Sequence, residues 1–187
     1  MLAAESKIIS EEEYLEIESK SEIKHEYHDG EMFAMAGASE NHNLILSNII
    51  SQLVNKLKKR CRIYPSDMKL KIKNLSKFVY PDVTIVCGER KFFDDSRDIL
   101  IDADVIIEIL SDSTEAYDRG DKFRFYRKLD SFKEYLLISQ KEKRIEKFFK
   151  TENGLWKISE ASKNQPEITL ESIDCKLNLD DIYENIF

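Results

Sequence analysis

Two periods of hydrophobic placement alternate along the chain, and they predict its elements. Over residues 41–59 the apolar positions Leu46, Ile49, Ile50, Leu53, Val54 and Leu57 recur at helical spacing, giving a helix with one well-buried face. Ser39 or Asn41 is placed to cap it. Nearer the start, Ser10 and Glu13 have the spacing of a capping box, and Tyr14, Leu15 and Ile17 give the short helix behind them an apolar surface. Between the two helices, "KHEYHDGEMFAM" has the pattern of a hairpin turning at Asp29-Gly30.

A period of two follows. "SDMKLKIK" places Met68, Leu70 and Ile72 on one face and Asp67, Lys69, Lys71 and Lys73 on the other. "FVYPDVTIV" alternates more weakly, and the short "KNLSK" between them suits a hairpin; pairing residue 69 with residue 82 puts Lys69 and Asp82 on one face. After a polar loop comes "DVIIEILSDST", a buried-strand run interrupted by Glu108, where an unpaired carboxylate is costly to bury. A helix over 117–129 carries Asp118, Lys122, Phe125, Tyr126 and Leu129 on one stripe. "KEYLLIS" and "KRIEKFFK" read as two strands turning at 140–142, "GLWKIS" as an edge strand, and "NLDDIYENIF" as a short amphipathic helix or turn. The order of helix, three strands, helix and strand behind a hairpin predicts an α/β mixed sheet.

Composition adds bounds. With 187 residues, 42% hydrophobic and 35% charged, the chain fits one soluble domain spanning 1–187. No apolar run approaches the roughly 18 residues of a membrane span, and the start lacks a basic-then-apolar leader, so a cytoplasmic protein with no membrane partner is expected. Cys61, Cys87 and Cys175 suggest neither a zinc site nor a disulfide framework. The net charge of −7 hides segregation: residues 5–31 carry ten acids against three lysines, residues 56–77 nine bases against one acid, and residues 119–128 five bases against one acid. The basic blocks are either phosphate-attracting patches or a solvated lysine-rich surface.

Asp82 and Glu108 sit inside apolar runs on successive predicted strands, and neighbouring strands lie about 4.8 Å apart. Two carboxylates at matching heights can share a hard divalent cation, Mg²⁺ or Mn²⁺, suited to hydrolysis of a phosphate ester. Lys122, inward-facing one helix later, is the candidate amine, and Lys69 competes for that role; a structural ion pair from Glu108 to either lysine is the plainer alternative. His42, in the first turn of its helix, either approaches this site or is satisfied locally, and Glu31 beside the hairpin turn is equally open. Asp118 has the spacing to pair with Lys122.

"YPDV" at 80–83 followed by "EILSDST" at 108–114 resembles the PD-(D/E)xK nuclease superfamily. The N-terminal "YLEIESKSEIKHEYHDGE", "NHNLI", "AYDRGDKFRFYRKL" and "EYLLIS" extend the resemblance, over nearly the whole chain, to its Uma-type branch of bacterial restriction-endonuclease-like proteins. The resemblance implies a restriction-endonuclease-like α-β-β-β-α-β core with an N-terminal helix and β-hairpin extension. It also implies a divalent metal on Asp82 and Glu108, and a metal-dependent endonuclease hydrolysing DNA phosphodiester bonds. One departure stands out: the superfamily places lysine two residues after the glutamate, where this chain has Leu110, and Lys122 best matches the lysine of the Uma-type helix. The alternative is a weak or inactive nuclease-fold protein serving as a nucleic-acid-binding or assembly module. Symmetric double-strand cutting implies a homodimer.

Overall fold

The structure, a computed structural model, describes residues 8–73 and 75–187. Residues 1–7, the first part of the stretch on which the leader expectation rests, lie outside the described residues. The elements are α1 (Glu11–Glu18), β1 (His25–His28), β2 (Glu31–Ala34), α2 (Glu40–Leu57), β3 (Cys61–Pro65), β4 (Lys69–Lys71), β5 (Lys77–Val79), β6 (Val83–Cys87), β7 (Ile99–Leu100) and β8 (Val105–Ile109). There follow α3 (Glu115–Tyr117), a π-helical turn (Asp118–Lys122), α4 (Phe123–Tyr126), β9 (Glu134–Ile138), β10 (Arg144–Lys150), β11 (Trp156–Ser162), β12 (Glu167–Leu170), β13 (Cys175–Asn178) and α5 (Leu179–Ile182).

A six-stranded sheet runs β11-β10-β9-β8-β6-β3, with β8 and β9 its one parallel neighbouring pair. A five-stranded sheet runs β2-β1-β5-β4-β7. On one face of the larger sheet, Ile45, Ile49, Leu53 and Leu57 of α2 pack with β12, β13 and α5 onto Val83, Ile85, Val105, Ile107 and Ile109. On the other, Ile106, Leu110 and Val86 pack against Leu70 and Val79 of the smaller sheet and Phe125 and Tyr126 of α4.

The predicted α-β-β-β-α-β order is present as α2, β3, β6, β8, the α3–α4 segment and β9. Its first strand, however, is β3 at Cys61–Pro65 rather than the alternating 66–73 run. The "FVYPDVTIV" run does not form one strand. Pro81 has no N–H to continue a ladder, so the chain leaves β5 in the smaller sheet and enters β6 in the larger. β4 instead pairs with β5, Leu70 opposite Val79, and the expected pairing of residue 69 with residue 82 is replaced. The predicted helix 117–129 is broken into α3, a π turn and α4, yet Asp118, Lys122, Phe125, Tyr126 and Leu129 are all buried as its stripe required.

Local chemistry explains the N-terminal layer. Ser10 and Glu13 close the capping box of α1, and Tyr14 stacks on Tyr27 of β1 at 4.9 Å. The β1–β2 turn has φ of 50° at Asp29 and 103° at Gly30, the positive angles a two-residue turn needs. A Cβ at residue 30 would also fall 2.5 Å from Ile8 Cγ2. The segregated charges meet here: Lys71 pairs with Glu11, Lys77 with Asp29 and Lys24 with Asp67. Two bases of the basic block, Lys71 and Lys77, therefore answer acids of the acidic one.

Cys61 and Cys87 form a disulfide, contrary to the sequence expectation. They are direct partners in the β3–β6 register, a proximity hidden while β3 went unrecognised.

Candidate active site

The register of β6 and β8 builds the site. Val83 pairs with Ile107 and Thr84 with Ile106, so one step further Asp82 stands opposite Glu108. Alternation puts Glu108 on the face of Ile106 and Leu110, beneath the smaller sheet and α4. The two carboxylates are cross-linked through the backbone: Asp82 N–H donates to Glu108 Oε2 at 3.3 Å, and Ile109 N–H donates to Asp82 Oδ2 at 2.7 Å.

Lys122 enters from the π turn. Its Nζ lies 3.1 Å from Glu108 Oε1, 3.2 Å from Asp118 Oδ1 and 3.6 Å from Glu26 Oε1. One helical turn on, the Tyr126 hydroxyl donates to the same Glu108 Oε1 at 2.6 Å. Glu108 is only 2% exposed and Lys122 6%, so this is a desolvated cluster of acids around one amine.

That imbalance sets the protonation states. Burial raises Glu108 most, Lys122 pulls it back, and the Asp118 and Asp82 charges push it up again, leaving it at about 8. Burial likewise raises Asp118. Burial opposes charge on Lys122, but Glu108, Glu26 and Asp118 outweigh it and hold the amine well above its usual range. Glu26 is lowered: burial works against ionisation, and Lys122, His28 and the Tyr80 N–H overcome it.

The other sequence candidates separate clearly. His42, set in the first turn of α2 by the Ser39 cap, brings Nε2 to 3.1 Å from Asp82 Oδ1. Its Nδ1 is buried with no hydrogen-bond partner among the described residues. Lys69 lies in the smaller sheet on β4, alongside Ile99, with its amine 3.8 Å from Asp98. Glu31 is exposed on β2, opposite His28 in the hairpin. Asp118 does pair with Lys122, as its spacing suggested.

Glu26 and Tyr126 belong to the cluster without having been singled out for chemistry. Glu26 accepts from the Tyr117 hydroxyl and the Tyr80 N–H and lies 3.2 Å from His28 Nε2. Its sequence signal was faint: an acid and a histidine sharing the hairpin face opposite Tyr27, informative only once both faces are known to be covered.

Hard carboxylate oxygens suit Mg²⁺ or Mn²⁺. Asp82 and Glu108 supply such donors from a rigid frame, and Glu26 and Asp118 leave the surroundings with more negative charge than Lys122 offsets. Among the described residues no three His, Cys, Asp or Glu side chains converge as a ready metal cage. The fit is thus to a cation that keeps waters and uses one or two carboxylates plus substrate oxygens. No described helix is long and apolar enough to cross a membrane.

Comparison with known proteins places the chain in a family. The chain is 36% identical over 179 residues to the uncharacterised protein slr1290 of Synechocystis sp., covering 95% of this chain and 93% of that one. It is 36% identical over 169 residues to the uncharacterised protein sll1609 of the same organism, covering 90% and 96%. A crystal structure described as a putative nuclease belonging to DUF820 from Anabaena variabilis superposes with a TM-score of 0.78 at 16% identity, covering 96% of this chain and 99% of that one, and shows the shared fold. Residues 11–180 match the family described as "Uma2: Putative restriction endonuclease", and the chain belongs to that family.

Proposed function

We propose that this chain is a metal-dependent endonuclease that hydrolyses DNA phosphodiester bonds, with Asp82, Glu108 and Lys122 as its working residues. The observation that carries the proposal is the convergence at Glu108: a buried strand carboxylate bonded to the backbone of Asp82 on one side and to the Lys122 amine on the other. A structural ion pair alone would not call for two further acids, Asp118 and Glu26, around the same lysine.

A bound Mg²⁺ or Mn²⁺ would supply Lewis-acid stabilisation of charge building on the phosphate oxygens and would acidify the attacking water. Asp82 and Glu108 would hold it, each kept in orientation by a backbone N–H from the facing strand. His42 steadies the outer oxygen of Asp82. Lys122 stays protonated, so it acts as a fixed positive charge toward the phosphate rather than as a base. The helical lysine thereby replaces the one that Leu110 lacks; the Leu110 side chain packs in the apolar cluster. DNA is the proposed partner, and two copies would be needed for symmetric cutting of both strands.

That buried Leu110 also supports a second reading, a nuclease fold that binds nucleic acid without cutting it. Supercoiled plasmid incubated with Mg²⁺ or with EDTA separates the two. The enzyme nicks only with the cation and loses nicking on Asp82→Asn. Nicking that survives in that variant overturns the assignment, and metal-independent DNA binding with no nicking favours the second reading.

A further inference from the structure

The hairpin above the acid cluster carries an aromatic side chain that the hydrolytic chemistry leaves unused. In the β1–β2 ladder Glu26 pairs with Phe33 and His28 with Glu31. Directly opposed residues of antiparallel strands project to the same face. Tyr27 and Met32 take the other face and pack with Tyr14 and Phe78. Glu26, His28, Glu31 and Phe33 therefore share the face that delivers Glu26 to Lys122.

Phe33 does not follow Glu26 into the interior. It is 49% exposed on β2, which among the described residues is an edge strand bonded only to β1. His28 braces it edge-on, with ring centroids 5.3 Å apart and planes 65° from parallel, and His28 Nε2 is in turn fixed at 3.2 Å from Glu26 and 3.0 Å from the Tyr117 hydroxyl. A continuous set of contacts thus links this half-open ring to Lys122 and, through it, to Glu108. Its companions on the face are an exposed glutamate, a histidine and a buried glutamate. A lone ring among polar groups matches a flat partner with a polar edge better than an extended apolar protein surface.

We infer that Phe33 is a stacking platform for a nucleobase of the DNA strand being cut, at the rim of the Asp82–Glu108 site. The inference rests on the nuclease assignment and deepens it. Every base has a π face, so the contact adds affinity and positions the strand without reading sequence. Phe33 touches no reacting atom, and its contribution falls on binding rather than on the chemical step.

The test measures binding of a fluorescent single-stranded oligonucleotide in Ca²⁺ and cleavage of the same strand in Mg²⁺, for wild type, Phe33→Ala, Phe33→Leu and Phe33→Trp. Phe33→Ala should weaken binding and raise KM by roughly 5- to 150-fold, the range of one lost base–aromatic stack, with kcat little changed. Phe33→Trp should restore binding and Phe33→Leu should not. Walking a single abasic nucleotide along the strand should find one position that weakens wild type by the same factor and has no effect on Phe33→Ala. Unchanged binding by Phe33→Ala, or full restoration by Phe33→Leu, overturns the stacking role while leaving the nuclease assignment intact. A wild-type protein that neither binds nor cuts DNA overturns both.

Discussion

Replacing Lys122 by Met tests the electrostatics of the cluster most sharply. Met keeps the length and apolar body of the side chain while deleting its charge. Glu108, Asp118 and Glu26, all within 3.6 Å of the amine, would then face one another without a cation. Removing one partner of a buried ion pair costs about 3–5 kcal/mol. For a protein of this size that corresponds to a Tm lower by about 6–20 °C. The cost must depend on pH. Loss of Lys122 raises the native pKa values of all three acids, so above the unfolded carboxyl range, about 4.5, the native variant binds more protons than the unfolded chain. Stability then falls as pH rises. The penalty should therefore be largest at pH 8 and less than about half as large at pH 5, where protonation neutralises the cluster. Urea denaturation of both proteins at pH 5, 6, 7 and 8, followed by circular dichroism, measures this. A penalty that is the same at every pH, or absent at pH 8, would refute the account of Lys122 as the neutralising charge.

Further outcomes follow from the same contacts. Because Glu108 titrates at about 8 and a cation must displace its proton, apparent Mn²⁺ affinity should rise about tenfold per pH unit up to that value; calorimetric titration between pH 6 and 9 checks it, and a flat profile would contradict it. Glu134 is fully buried, accepts from the Glu171 and Ser172 N–H groups, and has Lys147 at 3.9 Å. Glu134→Leu should accordingly cost about 3–5 kcal/mol in urea unfolding while leaving cleavage at permissive temperature unchanged. The Cys61–Cys87 bond spans 26 residues, and its reduction should lower unfolding stability by about 3–4 kcal/mol on the chain-entropy account; a thiol titration alongside denaturation measures the difference.

The sequence made the inward set of this protein more legible than its strand boundaries. Asp118, Lys122, Phe125, Tyr126 and Leu129 share one stripe at helical spacing, and burial of the stripe survives the π turn because the face, not the hydrogen-bond pattern, is what packing requires. Asp82 and Glu108 were readable as carboxylates within apolar runs, and their opposition follows from the strand register. The smaller sheet was readable only in part: its β1–β2 hairpin and the alternation through β4 show in the sequence, but β7 is too short to show a period, and the sharp exit at Pro81 looks, in one dimension, like the middle of a single strand. With β3 hidden between a charged helix end and Pro65, the Cys61–Cys87 pairing was hidden too. Glu26 needed the full tertiary arrangement, since only the docking of the hairpin over α4 turns an ordinary strand acid into a neighbour of Lys122.

The most direct measurement is anomalous scattering from crystals of the protein soaked in Mn²⁺. The account predicts one strong peak within about 2.3 Å of carboxylate oxygens from both Asp82 and Glu108, lost in Asp82→Asn. A peak held elsewhere, or an empty site in crystals of protein that still cuts DNA, would contradict it.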